Sequence, residues 1–145
     1  MEKIEIRRAV ERDLDAVMCL WLAGNLQAHS FVPEAYWQGH FEGVREAVAR
    51  SEVYLGVLGE EIVGFIGLDG RYIAGLFVAQ AHRGKGVGRQ LLNYVKAKKE
   101  TLALQVYRQN EDAVRFYRRE GFAVCAQQCE EETRQAEYTM GWQRG

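Results

Sequence analysis

The sequence predicts a mixed α/β (α+β) domain: a mostly antiparallel sheet of about seven strands with four helices. Three observations carry this. Short runs with alternating or continuous apolar residues recur along the chain, as strands do. Longer runs with apolar residues at helical spacing separate them. Tight hairpin turns join the middle strands, whereas later strands are separated by helices, which calls for crossover connections and parallel pairing. The 145 residues favour one domain (1–145), and 48% apolar residues suffice to fill its core.

The elements follow in order. "KIEIRRA" alternates Ile4 and Ile6 with charged neighbours, a half-buried strand. Asp13 is an N-cap candidate for a helix whose Leu14, Val17, Met18, Trp21 and Leu22 share one face. "GNLQAHSFVP" breaks that pattern. Pro33 fits the first turn of a second helix, with Trp37, Phe41, Val44 and Val48 on one stripe. "VYLGVLGEEIVGFIGLDGRYIAGLFVA" reads as three consecutive strands, turning at "GEE" and at Asp69-Gly70. A glycine-rich loop follows, then a helix with Val87, Leu91, Leu92 and Val95 inward. "TLALQVY" is a strand. "NEDAVRFYRREG" is a helix that Gly121 ends, and "FAVCAQQ" and "AEYTMGW" are two closing strands.

Composition excludes several classes. The net charge of −1 offers no basic field for nucleic acid. The longest apolar runs fall far below the ~20 residues that span a bilayer. "MEKIEIRRAVERD" lacks the apolar region of a signal peptide, so a cytoplasmic location is expected. Cys19, Cys125 and Cys129 are odd in number and form no CxxC pair, which points to free thiols and no metal site.

The chemistry is concentrated in "HRGKGVGRQLLNYVKAKKE". Gly84, Gly86 and Gly88 alternate with Arg83, Lys85 and Arg89 just before a helix. A helix N-terminus exposes unpaired N–H groups and a positive dipole end, and glycines let the backbone approach a ligand closely. The stretch is therefore suited to a pyrophosphate. It is not a Walker loop, because no Ser or Thr follows a Gly-Lys. It is not the dinucleotide fingerprint either. Counted from Gly84, the last glycine position is Arg89, and no acidic residue ends the following strand at Val106, Tyr107 and Arg108.

R-x-x-G-x-G is met by Arg83, Gly86 and Gly88 after a strand ending "LFVA". Here the chain resembles the GNAT superfamily of acetyl-CoA-dependent N-acetyltransferases, whose loop [QR]-x-x-G-x-[GA] holds the coenzyme A pyrophosphate. A second pattern of that family, N-x-x-A-x-x-F-Y-x-x-x-G-F, is met at Asn110, Ala113, Phe116, Tyr117, Gly121 and Phe122, at the usual distance downstream. The resemblance also covers the order of elements. It implies a sheet whose two central parallel strands splay apart to admit the cofactor.

The resemblance implies roles as well. Backbone groups of Leu76, Phe77 and Val78 would pair with the pantetheine arm. Gly84, Lys85, Gly86, Val87, Gly88 and Arg89 would offer amides to the pyrophosphate, and Lys85 and Arg89 are candidates for added charge. Asn110 would contact the cofactor arm. Tyr117 is the candidate general acid, since a phenol stays protonated at neutral pH. The fifth-strand glutamate of ribosomal-protein N-terminal acetyltransferases is replaced by Gln105, which cannot titrate. Asp69, His29, His40, Tyr36 and a water chain remain as candidate bases.

The acceptor cleft would be built from "LQAHSFVPEAYW" and "AQQCEEETRQAEY". His29, Phe31, Tyr36 and Trp37 are wall candidates. Glu131 and Glu132, with Glu130 and Glu137, would make an acidic rim suited to a cationic amine. Short bacterial members of the family, described as peptidyl-lysine acetyltransferases, share "H-S-F-V-P…Y-W" and "L-Q-V-Y…N". The acceptor is thus expected to be a protein or peptide lysine. A small amine such as a polyamine, aminoglycoside or amino acid is the alternative, as is an acetyl-CoA sensor without turnover. Monomer and homodimer are both left open.

Overall fold

The structure is a computed structural model that describes residues 3–145; Met1 and Glu2 of the N-terminal stretch lie outside the described residues. The elements run β1 (Glu5–Arg8), α1 (Leu14–Ala28), α2 (Glu34–Ala49), β2 (Glu52–Leu58), β3 (Glu61–Asp69), β4 (Tyr72–Val78), α3 (Val87–Lys96), β5 (Thr101–Tyr107), α4 (Glu111–Arg119), β6 (Ala123–Cys129) and β7 (Ala136–Gln143). Single 3-10 turns at Glu11–Asp13 and Gln80–His82 precede α1 and α3. The expected mixed sheet of seven strands is present, in the order β1-β2-β3-β4-β5-β7-β6. Every neighbouring pair is antiparallel except β4 and β5.

Pleating divides the apolar residues between two layers. Tyr54 of β2 joins Leu91, Leu92, Val95, Val114 and Tyr117 on the α3–α4 face. Its neighbours Val53 and Leu55 join Val17, Met18, Trp21 and Trp37 on the α1–α2 face. The register slips between Gly67 and Leu68, leaving Ala74 as an extra residue in β4. The slip reverses the pleat, so Ile73 and Leu76 face one layer and Phe77 the other.

Three local expectations are corrected. The helix does not break at Gly24; α1 runs on to Ala28, and Gly24 and Asn25 are buried. Gly24 is there for packing: a Cβ at that position would lie 2.4 Å from Cδ1 of Phe77. Asp13 sits at the N-cap position of α1 but does not cap it. Its carboxylate turns back to accept from the Val10 N–H at 2.8 Å and pairs with Arg7, also at 2.8 Å. Pro33 is the N-cap residue of α2, one position before the first turn. The end of α4 is as expected. Gly121 takes φ 95°, and the N–H groups of Gly121 and Phe122 close on the carbonyls of Arg118 and Tyr117.

Candidate active site

The sheet is open in its middle. β4 and β5 pair only at Tyr72↔Ala103 and Ile73↔Leu104. Beyond the extra residue Ala74 the strands part, so backbone groups of Leu76, Phe77 and Val78 that point toward β5 have no strand partner. Such an edge offers a ladder of donors and acceptors to an extended ligand. Leading away from it is a groove of about 420 Å³ between α1 and the end of β4, lined by Gly24, Gln27, Val78, Gln80 and Arg83 among others.

The glycine loop sits at that end. Gly84 and Gly86 take φ 77° and 82°, a conformation that favours glycine. Gly86 is the N-cap of α3, and the first helical bond is Gln90 N–H to Gly86 C=O. The amides of Val87, Gly88 and Arg89 are therefore free of helical partners. Built Cβ atoms at Gly84 and Gly86 would meet nothing within 4 Å, so the space over the loop is open. Lys85 is exposed. The Arg89 Nε lies 3.7 Å from a carboxylate oxygen of Glu120, which draws its charge toward the end of α4. Unpaired amides in open space at a helix start fit a pyrophosphate.

Tyr117 lies on α4, in the layer that Ile73 and Leu76 of β4 and Leu104 of β5 also join. It is 8% exposed and packs against Phe116 and Phe122. Burial, and secondarily the nearby Tyr72 phenol, hold its hydroxyl well above the ordinary phenol range. It is a firmly protonated group. Tyr72, which the sequence reading did not single out, donates to Gln105 Oε1 at 3.3 Å.

The acceptor wall forms on the α1–α2 face. The His29 ring lies 5.5 Å from Trp37, 5.7 Å from Phe31 and 4.9 Å from Tyr107, and Tyr36 packs 4.9 Å from Trp37. Tyr107 also escaped the sequence reading, because a residue ending an alternating strand carries no further signal. The glutamates divide. Glu130 holds its own loop, accepting from the Thr133 N–H and hydroxyl. Glu132 pairs with His40 at 3.0 Å, and Glu137 accepts from Gln128 at 3.1 Å. Glu131 is exposed. Burial chiefly, then Glu130, Glu132 and Glu137 together, raise the Tyr36 phenol to about 12. Burial and the same carboxylates raise Tyr107.

An unbroken line of hydrogen bonds crosses the cleft. Asn25 Nδ2 donates to the Trp21 carbonyl at 2.9 Å, which leaves Asn25 Oδ1 facing His29 Nδ1 at 2.9 Å. The Ala113 N–H donates to Asn110 Oδ1 at 3.3 Å, which leaves Asn110 Nδ2 facing His29 Nε2 at 3.1 Å. The two fixed amides admit one tautomer: His29 Nδ1–H donates to Asn25, and its Nε2 lone pair accepts from Asn110. Burial lowers its pKa to about 4, so the ring is neutral at physiological pH.

The candidate bases fare unequally. The lone pair of His29 is already filled. Tyr36 is too weakly acidic to ionise near neutrality. Asp69 ends β3 at the hairpin, opposite Tyr72 in the β3–β4 register. His40 lies on α2 against Glu132. Among the described residues no group of histidines, cysteines and acids is arranged to hold a metal, and no helix is long and apolar enough to cross a membrane.

The chain is similar to known proteins. An acetyltransferase (GNAT) domain family matches residues 27–136. The chain is 31% identical over 139 residues to the peptidyl-lysine N-acetyltransferase YiaC of Escherichia coli K12, covering 94% of this chain and 95% of that protein. The solution structure of apo YjaB from Escherichia coli superposes with a TM-score of 0.86 at 26% identity, covering 97% of each chain. YncA of Salmonella typhimurium, a putative acetyltransferase solved with acetyl-CoA, shares the fold with a TM-score of 0.69 at 19% identity, over 97% of this chain and 94% of that one.

Proposed function

Given that the chain belongs to the GNAT family of acetyltransferases, we propose that it transfers the acetyl group of acetyl-CoA to the side-chain amine of a lysine in a protein or peptide. One observation carries the acceptor class. Acidic side chains stand at the aromatic wall: Glu137 lies opposite Tyr107 in the β5–β7 register, and Glu132, two residues after Glu130, bonds to His40, whose ring packs 4.5 Å from Tyr36. The mouth of the cleft is therefore negative and its lining apolar, a pairing that suits an alkylammonium group.

The reaction runs by direct attack in a ternary complex. The thioester supplies an activated acetyl group. β4 holds the pantetheine arm through free backbone groups of Leu76, Phe77 and Val78, and the glycine loop with the α3 amides holds the pyrophosphate. The acceptor ammonium loses one proton to water at the cleft mouth, attacks as the neutral amine, and gives its second proton to water as the amide forms. The N–C bond forms and the C–S bond breaks. Tyr117, buried and protonated, gives its proton or a hydrogen bond to the departing thiolate. Solvent returns the proton.

The test is an acceptor screen by mass spectrometry over lysine peptides, N-terminal peptides, polyamines and aminoglycosides. Acetylated lysine side chains are expected. Reversing Glu131 and Glu132 to lysine should raise KM for lysine peptides and flatten the salt dependence of kcat/KM, since the Debye length is only ~10 Å at 0.1 M. Transfer to polyamines or aminoglycosides with lysine peptides left untouched would overturn the peptide reading. Acetyl-CoA binding without turnover on any amine would make the protein a sensor.

A further inference from the structure

We propose that His29 is a positioning residue that locks the Asn110 amide toward the cofactor arm, through the hydrogen-bond line from Trp21 to Ala113. The proposal rests on the reading of Asn110 as a cofactor contact.

Each donor in the line has one acceptor, and the order is Ala113 N–H to Asn110, Asn110 to His29, His29 to Asn25, Asn25 to the Trp21 carbonyl. Both ends are anchored in helical backbone, the last turns of α1 and the first turn of α4. A flipped Asn110 would leave the Ala113 N–H unpaired, and a flipped Asn25 would set its Oδ1 against the Trp21 carbonyl oxygen and its Nδ2 against His29 Nδ1–H, which is costly for a buried amide. The imidazole is the one member that spans the cleft, joining residues 81 apart in the chain. Trp37, Phe31 and Tyr107 fix its plane from the acceptor side. Asn110 is also the N-cap of the helix that carries Tyr117. A single neutral ring thus sets the orientation of a cofactor contact and touches the wall that receives the amine.

Only the Nε2 edge matters to Asn110, and this separates positioning from packing. Glutamine can present Oε1 about where Nε2 lies, keeping an acceptor for Asn110. Asparagine is too short and keeps only the Asn25 side. Leucine keeps bulk and loses both.

The experiment measures acetyl-CoA Kd by calorimetry, with kcat and KM for a lysine peptide, on full-length His29→Leu, His29→Asn, His29→Gln, Asn110→Ala and the His29→Leu/Asn110→Ala double variant. Melting curves accompany each. His29→Leu and His29→Asn should each weaken acetyl-CoA binding about fivefold or more. His29→Gln should restore most of it. The His29→Leu effect should vanish in the Asn110→Ala background, because the relay then has nothing to hold. The proposal is overturned if His29→Leu leaves Kd within twofold while Asn110→Ala weakens it. It is also overturned if the histidine effect persists without Asn110, or if glutamine rescues no better than asparagine. If Asn110→Ala itself leaves Kd unchanged, the cofactor role of Asn110 fails first, and the proposal falls with it.

Discussion

Replacing Gly24 with alanine should destabilise the protein, although alanine is the better helix former by about 1 kcal/mol. The new Cβ would sit 2.4 Å from Cδ1 and 3.0 Å from Cε1 of Phe77. Carbon atoms pack at about 3.5–4.0 Å, so the overlap exceeds about 1 Å. The ring has little room to swing away. Its other edge already lies over Gly75, where a Cβ would be 2.9 Å from Cε2, and its face stacks on Phe65 at 5.5 Å. Overpacking of this kind costs about 1–3 kcal/mol, which outweighs the propensity gain for all but the smallest values. The same substitution at Gly39 or Gly43 of α2 meets nothing within 4 Å and should stabilise by about 0.5–1 kcal/mol. At about 2–4 °C per kcal/mol for a chain of this size, Gly24→Ala should lower Tm by a few degrees, while the α2 variants raise it. Phe77 belongs to the edge facing the seam, so acetyl-CoA affinity should fall for Gly24→Ala alone. Calorimetric melting and titration read both effects. A Gly24→Ala protein that melts at or above the parent temperature would refute the packing argument.

Other outcomes are expected. Gly86→Asp places a carboxylate at the start of α3 and should weaken acetyl-CoA binding at least tenfold, with Gly86→Ala as the control for the strain of positive φ; equal affinities in parent and Gly86→Asp would remove the loop from the site. Tyr117→Phe should lower kcat by ~10²–10⁴-fold with little change in acetyl-CoA Kd, and an unchanged kcat under rate-limiting chemistry would return the residue to a packing role. The hydrogen-bonded Arg7 guanidinium holds the Asp13 carboxyl down at about 2. A depressed carboxyl contributes stability above its unfolded pKa and loses it as pH falls through the folded one. About 1–2 kcal/mol should therefore disappear between about pH 4 and pH 2, and Asp13→Asn should flatten that part of the stability profile.

Much of this was legible in the sequence because the signals were local. The glycine loop, the asparagine that starts α4 and Gly121 that ends it act within a few residues of where they stand. The alternation in "TLALQVY" marks β5 to the residue. What escaped depends on residues far apart. Gly24 reads as a helix breaker until Phe77 is known to need its space. Asn25 reads as a loop residue, yet it is buried because a helical turn separates it from both Trp21 and His29. Tyr107 stands beyond the last β4–β5 pair, where the sheet parts, and Tyr72 meets Gln105 only because β4 and β5 lie side by side. The acidic loop looked like one rim; pairing with His40, Gln128 and Thr133 shows that three of its four glutamates already have partners.

The seam between β4 and β5 bears on more than ligand access. Two register pairs join the half-sheets, whereas β5 and β7 pair along seven residues. Partial opening there breaks the fewest ladder bonds, so those amide protons of residues 74–78 that point toward β5 should exchange with deuterium sooner than those bonded to β3. A ligand laid along the free edge would slow that exchange and raise resistance to proteolysis. At a hundred times its Kd it would add about 2.7 kcal/mol. The lifetime of the protein in a cell would then follow the supply of the thioester it consumes, so that starvation for acetyl groups shortens the life of the catalyst along with its activity.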